Sequence, residues 1–281
     1  MSEKLKTTSK QVKAKKNSGN IISWIAPILC VILGYSLWRY GLGADSGFSK
    51  PDLTGGFWPN HKGPRGLHAM YEGGIIVPML ISLFLIILTF VIERLFTINK
   101  ALGRGSVSEF IVKVKHHLNN RDIESALKEC DRHKGSVGNV MKSGLIVYQK
   151  MTVSKEFNSE QKILAIQKEI EEATALEMPL LERNLVFLST IASVATLVGL
   201  LGTVIGMIRS FKSLGEAGGA GAAAELAQGI AEALYNTALG IGTSAVAIIM
   251  YNIFTTKIDG LTFGINESGF TLTQSFATMY E

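Results

Sequence analysis

Leu197-Val-Gly-Leu-Leu-Gly-Thr-Val-Ile-Gly-Met207 decides how this chain folds. It is an uncharged apolar helix with glycines at 199, 202 and 206 and a hydroxyl at Thr203. A helix that met only lipid would have no use for these residues. Glycine lets two helix backbones approach closely, and a hydroxyl in hydrocarbon needs a polar partner. The stretch predicts a helix packed inside a membrane assembly, with a polar side turned to the interior.

The rest of the chain agrees with a membrane setting. Of its 281 residues 47% are apolar, and the mean hydropathy is +0.26. The apolar residues gather in four runs: Ile21 to Tyr40, Ile75 to Ile92, Leu185 to Ile208 and roughly Ala231 to Phe254. A bilayer core about 30 Å thick takes about 20 helical residues, so each run is long enough to span it. The expected fold is all-α, a polytopic membrane protein with four transmembrane helices and a long helical cytoplasmic extension. The expected divisions are a basic tail at 1–20, a first span at 21–40, a periplasmic loop at 41–74 and a second span at 75–98. A helical cytoplasmic region at 99–184, two further spans within 185–258 and a tail at 259–281 complete the chain.

Lysines precede the first run, as they do in a secretion signal. Its apolar part is long for that role, and Gly41-Leu-Gly-Ala44 makes a poor cleavage site, so it reads as a retained helix. Lys4, Lys6, Lys10, Lys13, Lys15 and Lys16 place the N-terminus in the cytoplasm by the positive-inside rule. Four crossings then put 41–74 and 209–230 outside, and 93–184 and the C-terminus inside. Arg94, Lys100, Arg104 and Arg183 agree with this orientation, while Arg39, Arg209 and Lys212 oppose it without reversing it. Orientation and anionic headgroups account for the basic tail, so no nucleic-acid partner is expected. Cys30 lies in a span and Cys130 in the cytoplasmic region, so no disulfide framework is expected.

The outer loop is rich in Gly and Pro and holds Phe57-Trp58-Pro59, His61 and His68. Two histidines without a third ligand type do not make a metal site, and neither a metal nor a cofactor is expected. Phe110, Ile111, Val114 and Leu118 share one helical face, and Ile123, Ala126, Leu127 and Cys130 share the next, after the Asn119–Asp122 turn. Ile163, Ile166, Ile170 and Ala173 continue the pattern in a long helix running into the third span, with Glu169, Glu171, Glu172, Glu177 and Glu182 on its exposed face. His116, His117 and His133 read as solvated. No phosphate-cradling loop, metal cluster or nucleophile motif points to an enzyme.

On the third span Thr196, Gly199, Thr203, Gly206 and Met207 lie on one stripe. On the fourth, Glu232, Asn236 and Gly240 repeat every four residues, with Thr237 and Ser244 beside them. Polar groups facing lipid would cost several kcal/mol each, so both stripes should face an interior. Two readings stand for them. One is a packing seam in which Gly199, Gly202, Gly206 and Gly240 let helices touch and hydroxyls bond to neighbouring carbonyls. The other is a polar lining for ion passage through Thr196, Thr203, Glu232, Asn236 and Thr237. Glu232 is either a membrane-end acid in that path or a carboxylate at a helix start, stabilised by the helix dipole. The second and third spans carry no acid, His or Lys at their middles. If protons cross here, a partner helix must bring the carrier.

The segment from Asn184 to Phe211, NLVFLSTIASVATLVGLLGTVIGMIRSF, resembles the second conserved helix of the ExbB/TolQ/MotA proton-channel subunits. The segment from Gly229 to Asn252, GIAEALYNTALGIGTSAVAIIMYN, resembles the third. Leu181-Glu-Arg183, Ala126-Leu127-Lys-Glu-Cys130 and Gly144-Leu145 fit as well, so the likeness covers about residues 75–258. It implies a homopentamer in a bacterial inner membrane, surrounding a dimer of a single-span ExbD/TolR-like partner that brings a membrane aspartate. In the ExbB branch, which these motifs favour, proton flow energises a TonB-like protein for outer-membrane uptake. Thr203 matches the family's lumen threonine, Thr237 the threonine after IAEAL, and Glu232 the acid of that motif. Asn236 stands where many relatives have a small apolar residue, and the first span is extra to the three-span ExbB/TolQ plan. Other outputs to be weighed are a TolQ-like envelope-constriction motor, a gliding motor and a purely structural membrane scaffold.

Overall fold

In a computed structural model the described residues are 18–50, 62–64, 70–71, 73–217 and 222–280. Helix α1 spans Ser18–Ser36 and continues as a π-helical turn, Leu37–Leu42; α2 spans Ile76–Leu102. Four shorter helices follow: α3 Val107–Asn119, α4 Ile123–His133, α5 Ser136–Val153 and α6 Ser159–Glu182. The last two are long, α7 at Leu185–Ala217 and α8 at Ala222–Tyr280. Two three-residue strands, β1 Phe48–Lys50 and β2 Lys62–Pro64, pair antiparallel in the loop after α1. Among the described residues four helices are long and apolar enough to cross a membrane: the one through Ile25–Leu42, α2, α7 and α8. The protein is an all-α polytopic membrane protein. The lysine-rich tail, Phe57-Trp58-Pro59, His61 and His68 lie outside the described residues.

The chain divides into two compact units, Met1–Thr89 with Thr190–Ala247, and Phe90–Ser189 with Ile248–Glu281. In the first, α1 packs on α2 where Gly34 leaves space. A Cβ there would fall 2.9 Å from the Ser82 backbone nitrogen. Nearby the Cys30 thiol meets Thr89 Oγ1 at 3.5 Å. Trp38, just past α1, stacks on Tyr71 at 4.4 Å and donates its indole N–H to the Tyr71 carbonyl at 3.3 Å. Ile76, Leu80 and Val198 bring α2 against α7. Large apolar side chains on the other faces of α7 and α8 stay exposed, among them Leu197, Val204, Ile208, Leu234 and Ile241.

In the second unit the amphipathic helices bury the faces their periodicity predicts. Phe110, Ile111, Val114 and Leu118 of α3, Ala126 and Cys130 of α4, and Ile166 and Ile170 of α6 are all buried. The α3–α4 turn carries Arg121 at φ +57°, and Asp122 then caps α4 by accepting the Ser125 amide at 3.0 Å. Asn158 and Gln161 form a reciprocal capping box at the start of α6.

Three features differ from the sequence expectation. His133 is buried, not solvated. Its ring meets Phe110 edge-on at 4.4 Å, because it falls three residues after Cys130 on the stripe that buries α4. The helix expected to run unbroken into the third span stops at Glu182. Asn184 adopts φ +65°, and its Nδ2 donates to Glu93 Oε2 at 3.2 Å. Residues 259–280, set apart by sequence as a tail, continue α8 as helix. Leu272 lies against Gly144, and Phe276 packs edge-on against Tyr148 at 4.9 Å.

Candidate functional site: the glycine seam between α7 and α8

The site lies within the first unit, where α7 and α8 run antiparallel in close contact. Gly199 meets Gly240 and the Asn236 carbonyl, Gly202 meets Asn236, Gly206 meets Ala233, and Gly229 meets Ser210. The paired numbers fall on one helix as they rise on the other. A Cβ on Gly240 would sit 2.6 Å from the Ala195 carbonyl oxygen and 2.9 Å from Gly199 Cα. One on Gly202 would sit 2.6 Å from Asn236 Cβ, and one on Gly206 2.8 Å from Ala233 Cβ. All these contacts are tighter than ordinary Cβ packing allows, so glycine sets the distance between the two backbones.

That distance brings hydroxyls from different helices together. Thr203 Oγ1 and Thr237 Oγ1 are hydrogen-bonded to each other. Each also lies within donating distance of the Gly199 carbonyl oxygen, at 3.3 Å and 3.2 Å, so the two hydroxyl protons are shared over three contacts. Two turns away, Ser244 donates its hydroxyl to the Ala192 carbonyl at 2.5 Å, bridging the same helices in a buried position. Thr196 lies half-buried on α7, outside the hydrogen-bonded group around Gly199.

Asn236 and Glu232 occupy the next turns of α8. Asn236 is 3% exposed, and its Nδ2 donates to the Gly73 carbonyl at 3.2 Å, tying α8 to the residues just before α2. Its Oδ1 is buried and accepts no hydrogen bond from the protein. Glu232 is half-buried, and its Oε1 accepts a 3.4 Å bond from Gln228 Nε2 one turn earlier. The structure thus joins Thr203 to Thr237 directly and holds Asn236 in the same seam, while Glu232 and Thr196 stand beside it. Among the described residues no group of three His, Cys, Asp or Glu is placed to hold a metal.

A second polar cluster, in the other unit, was not singled out by sequence. Arg94 is 2% exposed, pairs with Glu93 at 2.6 Å and donates to the Leu181 and Leu180 carbonyls at 3.1 Å and 3.3 Å. Glu93 also accepts from Thr97 and Asn184. The guanidinium thereby fills the carbonyls left open at the end of α6. The signal was an Arg immediately after an apolar run, which reads equally well as an orientation charge.

The seam is that of a multi-pass helical membrane protein with polar groups concentrated at one helix contact. Residues 134–266, just under half the chain, match the family model described as the MotA/TolQ/ExbB proton channel family. The matched region includes Gly199, Thr203, Glu232, Asn236, Thr237 and Gly240. No curated protein matches the chain.

Proposed function

We propose that this chain is the ring-forming subunit of a proton-driven motor in a bacterial inner membrane. In this reading it assembles as a homopentamer around an ExbD-like single-span partner that supplies a membrane aspartate. Proton flow through that aspartate energises a TonB-like protein for outer-membrane uptake. Both termini lie in the cytoplasm. The observation that carries the reading is the Thr203–Thr237 hydroxyl pair on the Gly199 carbonyl, held within the region that matches a proton-channel family. Hydroxyls at that depth with no acid beside them fit a path whose titrating group comes from another chain.

Thr203 and Thr237 line the path at its centre, Thr196 extends it on α7, and Glu232 and Asn236 form its polar mouth. Gly199, Gly202, Gly206 and Gly240 keep the two lining helices in contact. Lateral assembly is supported by large apolar side chains exposed on the single chain beyond the spans, including Leu164, Leu176, Phe263 and Phe270. The lysines ahead of α1 support the orientation.

The test is proton flux into proteoliposomes holding the chain and its partner, for wild type, Thr203→Val, Thr237→Val and Glu232→Gln. Loss of flux in the threonine variants, with assembly intact on native gels, is the expected result. Full flux in all three would remove the lining roles. A receptor-dependent growth assay separates TonB-type output from envelope constriction.

A further inference from the structure

The start of α5 borders an open cavity of about 250 Å³ in the second unit, whose walls include Lys100, Lys134, Ser136, Glu177, Leu180 and Leu181. Gly135, the N-cap, has no side chain with which to cap the helix, and the first turn holds no acid. The Asn139 amide donates to the Gly135 carbonyl at 2.9 Å, so the amides of 136–138 stand ahead of the first intrahelical bond and need another acceptor. A Cβ on Gly135 would sit 2.6 Å from the Ala101 carbonyl oxygen, so glycine sets this helix start against the last turn of α2. Lys100 in that turn and Lys134, which closes α4 at φ +57°, thereby border the same space. Among the described residues neither lysine has an ion-pair partner. Ser136 is only 4% exposed, and its hydroxyl bonds to no protein group. That oxygen is not among the sealed polar atoms of the chain, so the surface it keeps belongs to the wall of this cavity. One carboxylate opposes these groups, and Glu177 already accepts from Asn139 Nδ2 at 3.0 Å. Two ammonium groups and a helix N-terminus outweigh it, so the cavity attracts an anion.

We infer that this cavity binds the phosphate group of an anionic phospholipid in the adjoining leaflet. Depth supports the lipid as the source. The apolar run of α2 ends at Ile92, so at 1.5 Å per residue Lys100 lies about 12 Å beyond it. A headgroup layer is about 5–8 Å thick, and a lysine side chain can reach back into it. Arg94, about 3 Å beyond the run, donates to the Leu180 and Leu181 carbonyls, which sets the apolar wall of the cavity at the hydrocarbon edge. Acyl chains then meet Leu180, which is 53% exposed, while the phosphate meets the α5 amides, the Ser136 hydroxyl and the lysines. Phosphatidylglycerol is preferred to phosphatidylcholine, whose own cation the lysines repel. Free phosphate shares the polar partners but has no use for the apolar wall. The site does not depend on the motor reading.

The experiment is native mass spectrometry of the full chain released from phosphatidylcholine nanodiscs that contain phosphatidylglycerol. Wild type is compared with the double variant Lys100→Gln, Lys134→Gln and with Lys115→Gln, an exposed position on α3 outside the cavity. The expected result is one phosphatidylglycerol retained per chain, with occupancy at least fivefold lower in the double variant and unchanged in Lys115→Gln. A wild type that retains phosphatidylglycerol no better than phosphatidylcholine would overturn the site, as would an equal loss in Lys115→Gln. Amine labelling of the wild type gives a second measurement that needs no variant. Phosphatidylglycerol should slow labelling of Lys100 and Lys134 several-fold relative to Lys115, and inorganic phosphate added to phosphatidylcholine nanodiscs should not. Equal slowing by phosphate would overturn the lipid source, and no slowing by either would overturn the site.

Discussion

Gly240→Ala tests whether glycine contact between α7 and α8 holds the seam together. The added Cβ would lie 2.6 Å from the Ala195 carbonyl oxygen and 2.9 Å from Gly199 Cα, both backbone atoms that no rotamer change can move. Restoring ordinary contact, at about 3.4 Å or more, requires the helices to separate by about 0.8 Å at this point. The 3.2 Å bond from Thr237 to the Gly199 carbonyl would stretch to about 4 Å, beyond hydrogen-bond range, and the Thr203–Thr237 bond would open with it. Overpacking of this kind costs about 1–3 kcal/mol, and two membrane hydrogen bonds add about 1 kcal/mol. The better helix propensity of alanine returns about 1 kcal/mol, leaving a net loss of about 1–3 kcal/mol.

Gly242 and Gly260 are the controls, because a Cβ at either meets nothing within 4 Å. Alanine at those positions should be neutral or stabilising by up to about 1 kcal/mol. The assay is unfolding of the purified protein in mixed micelles by titration with a denaturing detergent, followed by loss of helical circular dichroism. If Gly240→Ala unfolds no earlier than Gly242→Ala and Gly260→Ala, the glycine contact does not carry the seam.

The other unit offers three more tests. Arg94→Met removes a buried guanidinium from Glu93 and two carbonyls, and should cost about 3–5 kcal/mol in the same unfolding assay, with part recovered on adding Glu93→Gln. Burial pushes the Cys130 thiol up to about 12, so a maleimide should label it only after denaturation; rapid labelling of the native protein at neutral pH would contradict its buried position. The Ser125 hydroxyl and amide hold the Asp122 carboxyl below its ordinary value of 3.8, so the cap on α4 is intact at neutral pH and is lost as pH falls through that lowered value. Faster amide exchange at Ser125 in acid, absent in Asp122→Ala, is the expected signature.

Four spans and the amphipathic faces of α3, α4 and α6 were legible because length and a 3.6-residue period are local properties of the chain. Thr203 and Thr237 were each visible as a hydroxyl in an apolar helix. Their contact was not, since it depends on the register of two helices that brings residues 34 apart in sequence together. His133 misled because its charged neighbours outweighed its position on the Ala126–Cys130 stripe. The contacts of Arg94 with the end of α6 were not legible, because a basic residue at the end of an apolar run serves topology and capping alike. The break at Asn184 required a left-handed residue, which asparagine tolerates but does not announce.

The hydroxyl pair has a proton count that bears on how it would meet a partner's acid. Thr203 and Thr237 bring two hydroxyl protons to three contacts, two with the Gly199 carbonyl and one between themselves. Both protons are engaged inside the chain, while lone pairs on both oxygens remain. A protonated carboxylic acid arriving from a partner helix can donate to the pair at no cost to these contacts. A carboxylate can be received only by withdrawing a proton from one of these contacts. On the proposed reading the pair therefore favours the protonated state of the incoming aspartate. Thr237→Val should shift the carbonyl stretch of that protonated acid in difference infrared spectra of the complex, and Thr237→Ser should leave it in place. An identical stretch in wild type and Thr237→Val would mean that the acid never meets the pair.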